Sequence, residues 1–539
     1  MAVKVSAIYW MSLNGAQACF AIILLMHLVV NADALANQID RPNIVLIMLD
    51  DVGYSDYGCF GGEIATPNID SLARDGLAFT QFYNNAVCVP TRASLMTGLY
   101  PRYVGPNRSI ALTEDMVTLA EALKLAGYRT SLSGKWHLGR EAPDHPLDRG
   151  FDSFYGLLDG CCNHHDPGLR DPAFEGGRLR VWSDGRQRVT NFPSDFYSSD
   201  AITTHALQQM HSFHTANQPF FAHICFTGAH SPLHAKPNDI AKYRGKYSMG
   251  WESLRRARFA QQEDLGISNP AWPLSIGEPE FPSWQAEPLK AWQEGLMEVY
   301  AAMVDSLDQN IGRVLTKLHE LNIEENTLVI VFNDNGGCAE QAGGNDPANI
   351  AGPKEHYVSC GAGWAHAQNT PWRRYKAWCH EGGIATPLLV RWPRVVAKGR
   401  KSNQVGHLID LMPTLLDAAE VSLPTHRNGE AVMPIEGMSL MPLLREQPTN
   451  PIARDLAWAW LNNRAIRSDE WKLVWDQDVG QWELYDFRID RVESHDLAGS
   501  EPQRVAKMAE NWQAWAERTG AVHNLEKRVR LNPSSSPRK

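Results

Sequence analysis

The sequence predicts an α/β protein: a large mixed, mostly parallel sheet flanked by helices, followed by a smaller C-terminal α+β domain. Three observations predict it. Continuous apolar runs such as Asn43–Leu49 suit strands buried on both faces of a parallel sheet. These runs alternate with helical patterns. Polar residues then gather directly after the runs, where open α/β sheets place their ligands. With 539 residues, 44% hydrophobic and 21% charged, the chain can fill a full-sized core, and general disorder is excluded.

Taken in order, Lys4 is the only basic residue ahead of an apolar run from Ala18 to Val30, which leads to a small-x-small exit at Ala34-Leu35-Ala36. Residues 1–36 are therefore expected to be a signal peptide cleaved near Ala36, giving an exported protein, periplasmic or extracellular. The run falls short of the ~20 residues of a spanning helix. No later stretch is long and apolar enough to cross a membrane, so the mature chain is expected to lack a transmembrane segment. Asn43–Leu49 stops at Asp50-Asp51, and a strand at Arg129–Ser133 leads into Gly134–Gly139. Phe220–Phe226 runs into Thr227–His230, and Leu328–Phe332 into Asn333–Gly337. Before that last strand, Leu296, Tyr300, Met303, Leu307, Ile311, Val314 and Leu318 fall at spacings of three and four, one buried helical stripe.

Between Ala235 and Trp292 six prolines and four tryptophans lie among mixed charges. This reads as an irregular insertion (about 235–292), either a wall of a substrate cleft or a surface excursion. The main, site-bearing domain spans 37–450, with a boundary at the polar stretch Glu446–Asn450. A C-terminal α+β domain follows over 451–530, with β-like runs at Trp471–Trp475 and Trp482–Tyr485 and a helix near Val505–Arg518. Residues 531–539 are a Pro/Ser-rich flexible tail.

A net charge of −10 and a pI near 6.0 provide no basic footprint for nucleic acid, and an anionic substrate would need a local cationic pocket. Nine cysteines are too sparse for a disulfide scaffold. The 18 tryptophans suit core packing or stacking on sugar rings. Asp50-Asp51 and Asp334-Asn335 are oxygen-rich pairs after buried strands, a donor set that favours a hard cation, calcium before magnesium. Lys135 and His137 lie two apart, which on an extended backbone puts both side chains on one face.

Cys88-Val89-Pro90-Thr91-Arg92 continues into Ala93-Ser94-Leu95-Met96-Thr97-Gly98. This stretch resembles the signature of the sulfatases in the alkaline phosphatase superfamily, where the cysteine of Cys-x-Pro-x-Arg is oxidised to formylglycine. Pro42–Gly53, Gly134-Lys135-Trp136-His137-Leu138-Gly139, Asp334-Asn335-Gly336-Gly337 and Glu381-Gly382-Gly383 match further family blocks, in family order, over about residues 42–500. The resemblance implies an alkaline phosphatase-like fold, sulfuric ester hydrolysis, and a formylglycine-generating enzyme as maturation partner. It also implies one calcium ion held by Asp50, Asp51, Asp334 and Asn335, with the hydroxyl at position 88 completing the shell. The hydrated aldehyde is a gem-diol: one hydroxyl attacks sulfur, and the other later loses a proton so that sulfate is expelled. Lys135 would neutralise charge beside the diol and His137 would take its proton, while Arg92 holds the nucleophile and the carboxylates. His230 would bind sulfate and protonate the leaving oxygen, and Lys376 would clamp a sulfate oxygen.

The chain departs from the family at Gly160-Cys161-Cys162-Asn163-His164-His165-Asp166, where His164, His165 and Asp166 are candidates for a substrate subsite. Setting aside Cys19 and Cys88, seven cysteines remain, so at least one is free or pairs between chains. The expected substrate is a sulfated carbohydrate rather than a small aryl or steroid ester. The rival readings are a formylglycine-dependent phosphodiester or phosphonate hydrolase and an inactive relative that only binds sulfated glycans.

Overall fold

The alternation along Asn43–Leu49 explains its unbroken apolar run. Val45, Ile47 and Leu49 enter one core while Ile44, Leu46 and Met48 enter another, all at most 1% exposed. The computed structural model describes residues 41–104, 109–171, 177–448 and 454–525; the expected leader and tail lie outside the described residues. Among these the main sheet has eleven strands: β1 (Asn43–Leu49), β2 (Leu77–Tyr83), β3 (Arg129–Gly134), β4 (Ser153–Leu157), β5 (Trp182–Asp184), β6 (Gln187–Val189), β7 (Phe220–Cys225), β8 (Thr327–Asn333), β9 (Ala385–Arg391), β10 (Arg400–Ser402) and β11 (Gly406–His407). The order is β10-β2-β9-β8-β1-β7-β3-β4-β5-β6, with β11 also on β2. The central strands β8-β1-β7-β3-β4 run parallel, and β9, β5 and β6 pair antiparallel.

Helices cover both faces. The helices α1 (Pro67–Arg74), α2 (Cys88–Thr97), α3 (Leu119–Leu125), α4 (Ser198–Thr215), α5 (Trp251–Asp264), α6 (Lys290–Glu320), α7 (Gly361–Gln368) and α8 (Leu411–Ala418) follow in chain order. Residues of α1, α4 and α6 pack on the Val45 face; those of α2, α3 and α8 pack on the Leu46 face. All seven apolar residues of the predicted stripe in α6 are buried. No helix among the described residues is long and apolar enough to cross a membrane.

The stretch 235–292 is more regular than expected. It contains the 14-residue helix α5, whose Trp251 is 2% exposed and packs edge-on against Trp284 and Trp364 at 4.8 and 5.5 Å. That tryptophan is core, with no face left for a sugar. Arg258 of α5 reaches Asp56 at 2.7 Å and Glu63 at 2.7 Å, which pins the helix to the loop after β1.

Beyond residue 454 a four-stranded antiparallel meander, β12 (Asp455–Trp460), β13 (Asn463–Ser468), β14 (Trp471–Asp476) and β15 (Gln481–Asp486), is covered by α9 (Pro502–Thr519). Met508, Trp512 and Trp515 of α9 pack with Ile466, Leu473 and Leu484. The helix begins with proline in its first turn and ends at Gly520 with φ 77°, the usual signals for each end.

Candidate active site

The register of the central strands assembles the site. Leu49 of β1 pairs with Asn333 of β8, so Asp50-Asp51 and Asp334-Asn335 emerge level with each other. All four are at most 1% exposed. The Asn335 amide donates to Asp51 Oδ1 at 2.7 Å, and the Asp51 backbone N–H lies 3.3 Å from Asp334 Oδ1. Asp51 adopts φ 59°, uncommon for a residue with a side chain. Its loop is braced from behind: Tyr300 donates to Asp56 Oδ2 at 2.6 Å, with its hydroxyl 3.3 Å from Asp51 O, while Arg258 holds the other oxygen of Asp56.

Strand β3 supplies the next two candidates. It ends at Gly134, where a Cβ would lie 1.8 Å from Cys225 O, so only glycine fits before the chain turns. Lys135 then bonds Asp50 Oδ2 at 2.6 Å, with both side chains fully buried. His137 does not continue an extended backbone, since its φ is 60°. The turn nevertheless brings its Nδ1 to 3.3 Å from Cys88 Sγ. Cys88 is the first residue of α2, where the helix N-terminus favours negative charge. One turn later Arg92 donates to Asp334 Oδ2 at 3.0 Å and to Lys135 O at 2.7 Å, joining α2, β3 and β8.

His230 and Lys376 close the group on Asp51. His230 Nε2 lies 3.5 Å from Asp51 Oδ2, and Lys376 Nζ is 2.9 Å from the same carboxylate. Burial pushes Asp51 up, but His230, Lys376 and Lys135 outweigh it and hold the group below its ordinary value. Asp334 is pushed up to about 7 by burial and by Asp50, against the pull of Arg92. Burial also drives His230 down to about 4 and, together with Lys135 and Arg92, takes His137 well below its usual range.

The donor set fits a cation. Asp50 Oδ1 and Asn335 Oδ1 are buried oxygens without a hydrogen-bond partner, an expensive state unless an ion satisfies them. Three carboxylates and an amide oxygen are hard donors, as calcium prefers. A cavity of about 400 Å³ opens beside them, lined by Cys88, His137, His230 and Lys376 and also by Arg140, Asp159, Arg178, Arg180 and Glu340.

A family model described as Sulfatase matches residues 42–421, and one described as N-sulphoglucosamine sulphohydrolase, C-terminal, matches residues 372–515. The chain belongs to the sulfatase family. This sulfatase is 32% identical to an uncharacterized sulfatase of Schizosaccharomyces pombe over 525 residues, 89% of this chain and 94% of that one. It is also 32% identical to an arylsulfatase of Klebsiella aerogenes, over 77% of this chain and 94% of the relative. Among solved structures, Ps i-CgsB in complex with k-i-k-neocarrahexaose shares the fold with a TM-score of 0.64 at 24% identity, covering 88% of this chain and 93% of that one. The protein is a sulfuric ester hydrolase on an alkaline phosphatase-like fold.

Several expectations change at this site. None of the residues lining the cavity comes from 235–292; the insertion braces the Asp51 loop from behind instead of walling the cleft. His164, His165 and Asp166 do not line the cavity either. His164 is buried behind His230, bonded to its carbonyl at 2.9 Å and to Ser198 Oγ at 2.8 Å. All eight described cysteines are free thiols, Cys161 and Cys162 included. Sequence reasoning missed Thr91, which donates to Asp334 O at 2.7 Å, although it sits inside the quoted Cys88–Arg92 stretch. It also missed Arg140, Arg178, Arg180 and Asp159, whose only sequence signal was a cluster of basic residues near the quoted blocks.

Proposed function

We propose that this sulfatase hydrolyses sulfate esters of carbohydrates outside the cell. In this reading Cys88 is converted to formylglycine by a formylglycine-generating enzyme, and one calcium ion is held by Asp50, Asp51, Asp334 and Asn335. The observation that carries it is the position of residue 88. It heads α2 at 3.3 Å from His137, beside a buried oxygen quartet that keeps two oxygens unpartnered.

The hydrated aldehyde would supply the nucleophile and the means of releasing sulfate, and calcium would lend positive charge to both. The other roles fall to the chain's own groups. Arg92 and Thr91 fix Asp334 and tie the start of α2 to it. Lys135 offsets the charge of Asp50 where the central strands end. His137, neutral because burial lowers it, is poised to accept a proton from the atom attached at position 88. His230 and Lys376 line the cavity and would orient a sulfate, and His230, beside Asp51, would pass a proton to the leaving oxygen from the charged form that a bound anion favours. The cationic lining supports an anionic saccharide in a chain of net charge −10, and the Ps i-CgsB neighbour was solved with an oligosaccharide.

The test is a mass measurement of the tryptic peptide carrying residue 88, with metal content and turnover measured on the same preparation. Thiol-to-aldehyde conversion, one calcium per chain and turnover of defined sulfated sugars are expected. Active protein carrying only cysteine at position 88 would reject the nucleophile. Turnover confined to aryl sulfates would reject the carbohydrate assignment. A secreted N-terminus far from residue 37 would reject the cleavage site.

A further inference from the structure

Two carboxylates line the active-site cavity, and the fold treats them differently. Asp159 is 3% exposed and occupied: one oxygen meets Arg140 and Arg178, and the other takes the Val181 N–H at 2.6 Å. Glu340, on the stretch that follows β8, has no such partners. Among the described residues its carboxylate makes no hydrogen bond and no ion pair. Its main chain, by contrast, is held. The Glu340 carbonyl accepts from Ser359 Oγ, which also takes the Ala342 N–H at 3.0 Å, and Ala339 beside it is 1% exposed. Gly337 O accepts the Lys376 N–H at 3.1 Å, which ties this stretch to the one that carries Lys376. The Glu340 side chain is only partly buried, and its charge is felt by His230 and by Lys376, the pair that would orient sulfate.

A carboxylate in this cavity works against the entry of a sulfate, because like charges repel. No group of the fold satisfies its oxygens, so a donor on the substrate is what would offset the repulsion. A carboxylate accepts through two oxygens and has no proton to give. A sugar that carries a sulfate ester also carries hydroxyls on neighbouring carbons, and an O–H donated to a carboxylate makes a bond roughly twice as strong as a neutral one. The same group discriminates. A second sulfate or a uronate brought to Glu340 would add repulsion, and a simple aryl sulfate has no hydroxyl to offer.

We propose that Glu340 is a specificity-determining residue: its carboxylate accepts from a free hydroxyl of the sugar that bears the sulfate, so that the preferred substrates are saccharides with an unmodified hydroxyl close to the ester that is cleaved. This rests on the carbohydrate-sulfatase reading above and names a feature of the substrate within it. The role is recognition, and Glu340 takes no part in the bonds made and broken.

The experiment uses the full chain, produced with formylglycine installed, and the smallest sulfated saccharide that it turns over. Beside this parent stand analogues in which each hydroxyl of the sulfated ring is replaced singly by hydrogen, and an aryl sulfate. Wild type should lose about ten- to a hundredfold in kcat/KM on one deoxy analogue, the range expected when a hydrogen bond to a charged group is removed. In Glu340→Ala the ratio of parent to that analogue should fall toward unity, while the ratios for the other analogues stay as in wild type. Glu340→Gln, which keeps an acceptor and loses the charge, should fall between the two. Because each enzyme is compared with itself, partial loss of folded protein cancels, and so does any difference in intrinsic reactivity between parent and analogue. Sugars turned over with no deoxy analogue disfavoured by wild type, with the wild-type ratio kept in Glu340→Ala, or with all ratios shifted together in that variant, overturn the role of Glu340 alone. Turnover of the aryl sulfate but of no sulfated sugar, or of no ester at all, overturns the carbohydrate reading and the role of Glu340 with it.

Discussion

Lys472→Met removes the cation at the centre of a buried ionic cluster joining the C-terminal meander to the main sheet. Lys472 Nζ lies 2.9 Å from Glu381 Oε1 and 2.6 Å from Glu493 Oε1, with all three side chains fully buried. Arg491 holds Glu381 Oε2 at 2.8 Å, and Tyr83 donates to the same oxygen at 3.0 Å. With lysine gone, Glu381 keeps Arg491, while Glu493 loses the cation that contacts it. Breaking such a pair from one side costs about 3–5 kcal/mol, because a charge is left uncompensated where water cannot reach it. The loss should depend on pH. Burial and Glu381 raise Glu493 from 4.5 to about 7 even with Lys472 present. An acid whose folded pKa is raised contributes stability that is full at low pH and is lost as pH climbs from its unfolded value through its folded one. Without Lys472 that window extends upward, so the deficit of the variant should be larger at pH 8 than at pH 5.5. Urea unfolding of both proteins at the two pH values measures it. Lys472→Met combined with Glu493→Gln should recover most of the loss, since glutamine keeps an acceptor for the Glu381 N–H, 2.8 Å away. Equal deficits at the two pH values, a loss below about 1 kcal/mol, or no recovery in the double variant would refute the electrostatic reasoning. Activity should fall as well, because Gly383, in the turn that Glu381 starts, accepts from Gly336 next to Asn335 at 3.2 Å.

Three further outcomes are expected. His230→Ala should slow cleavage of sugar sulfates by about 10²–10⁴-fold while sparing activated aryl sulfates, whose leaving groups need no proton; equal losses on both would reject its role as acid. Asp334→Ala should lose stoichiometric calcium, and with it the calcium-dependent part of the thermal midpoint, because an ion bound only to the folded state stabilises that state; unchanged calcium content would rule Asp334 out as a ligand. Gly160→Ala puts a Cβ 2.5 Å from His137 Cε1, so the ring must shift, and kcat should fall by up to about a hundredfold with folding retained; an unchanged kcat in folded protein would show that the His137 position is not critical.

The strands that carry the site were legible because burial on both faces leaves a mark in the local sequence. Asn43–Leu49, Phe220–Cys225 and Thr327–Asn333 are apolar nearly throughout, and each ends in the polar residues that matter. The stripe of α6 was legible for the same reason at helical period. The Cys88–Arg92 stretch could be read because its chemistry is contained within one helical turn. What the sequence by itself determined, then, was these few elements and the candidate residues at the ends of the strands. Only the tertiary structure decided which of these residues touch. The level exit of Asp50 and Asp334 follows from a register of Leu49 against Asn333, set by pairing across 284 positions of chain. Asp159 collects Arg140 and Arg178 from two separate segments, and no local period records that meeting. The tryptophan-rich stretch 235–292 misled for a related reason: composition cannot tell a tryptophan buried against its neighbours from one offered to a sugar. Periodicity reports what each residue buries; long-range contact is fixed only when the sheet closes and the chain's distant segments pack together.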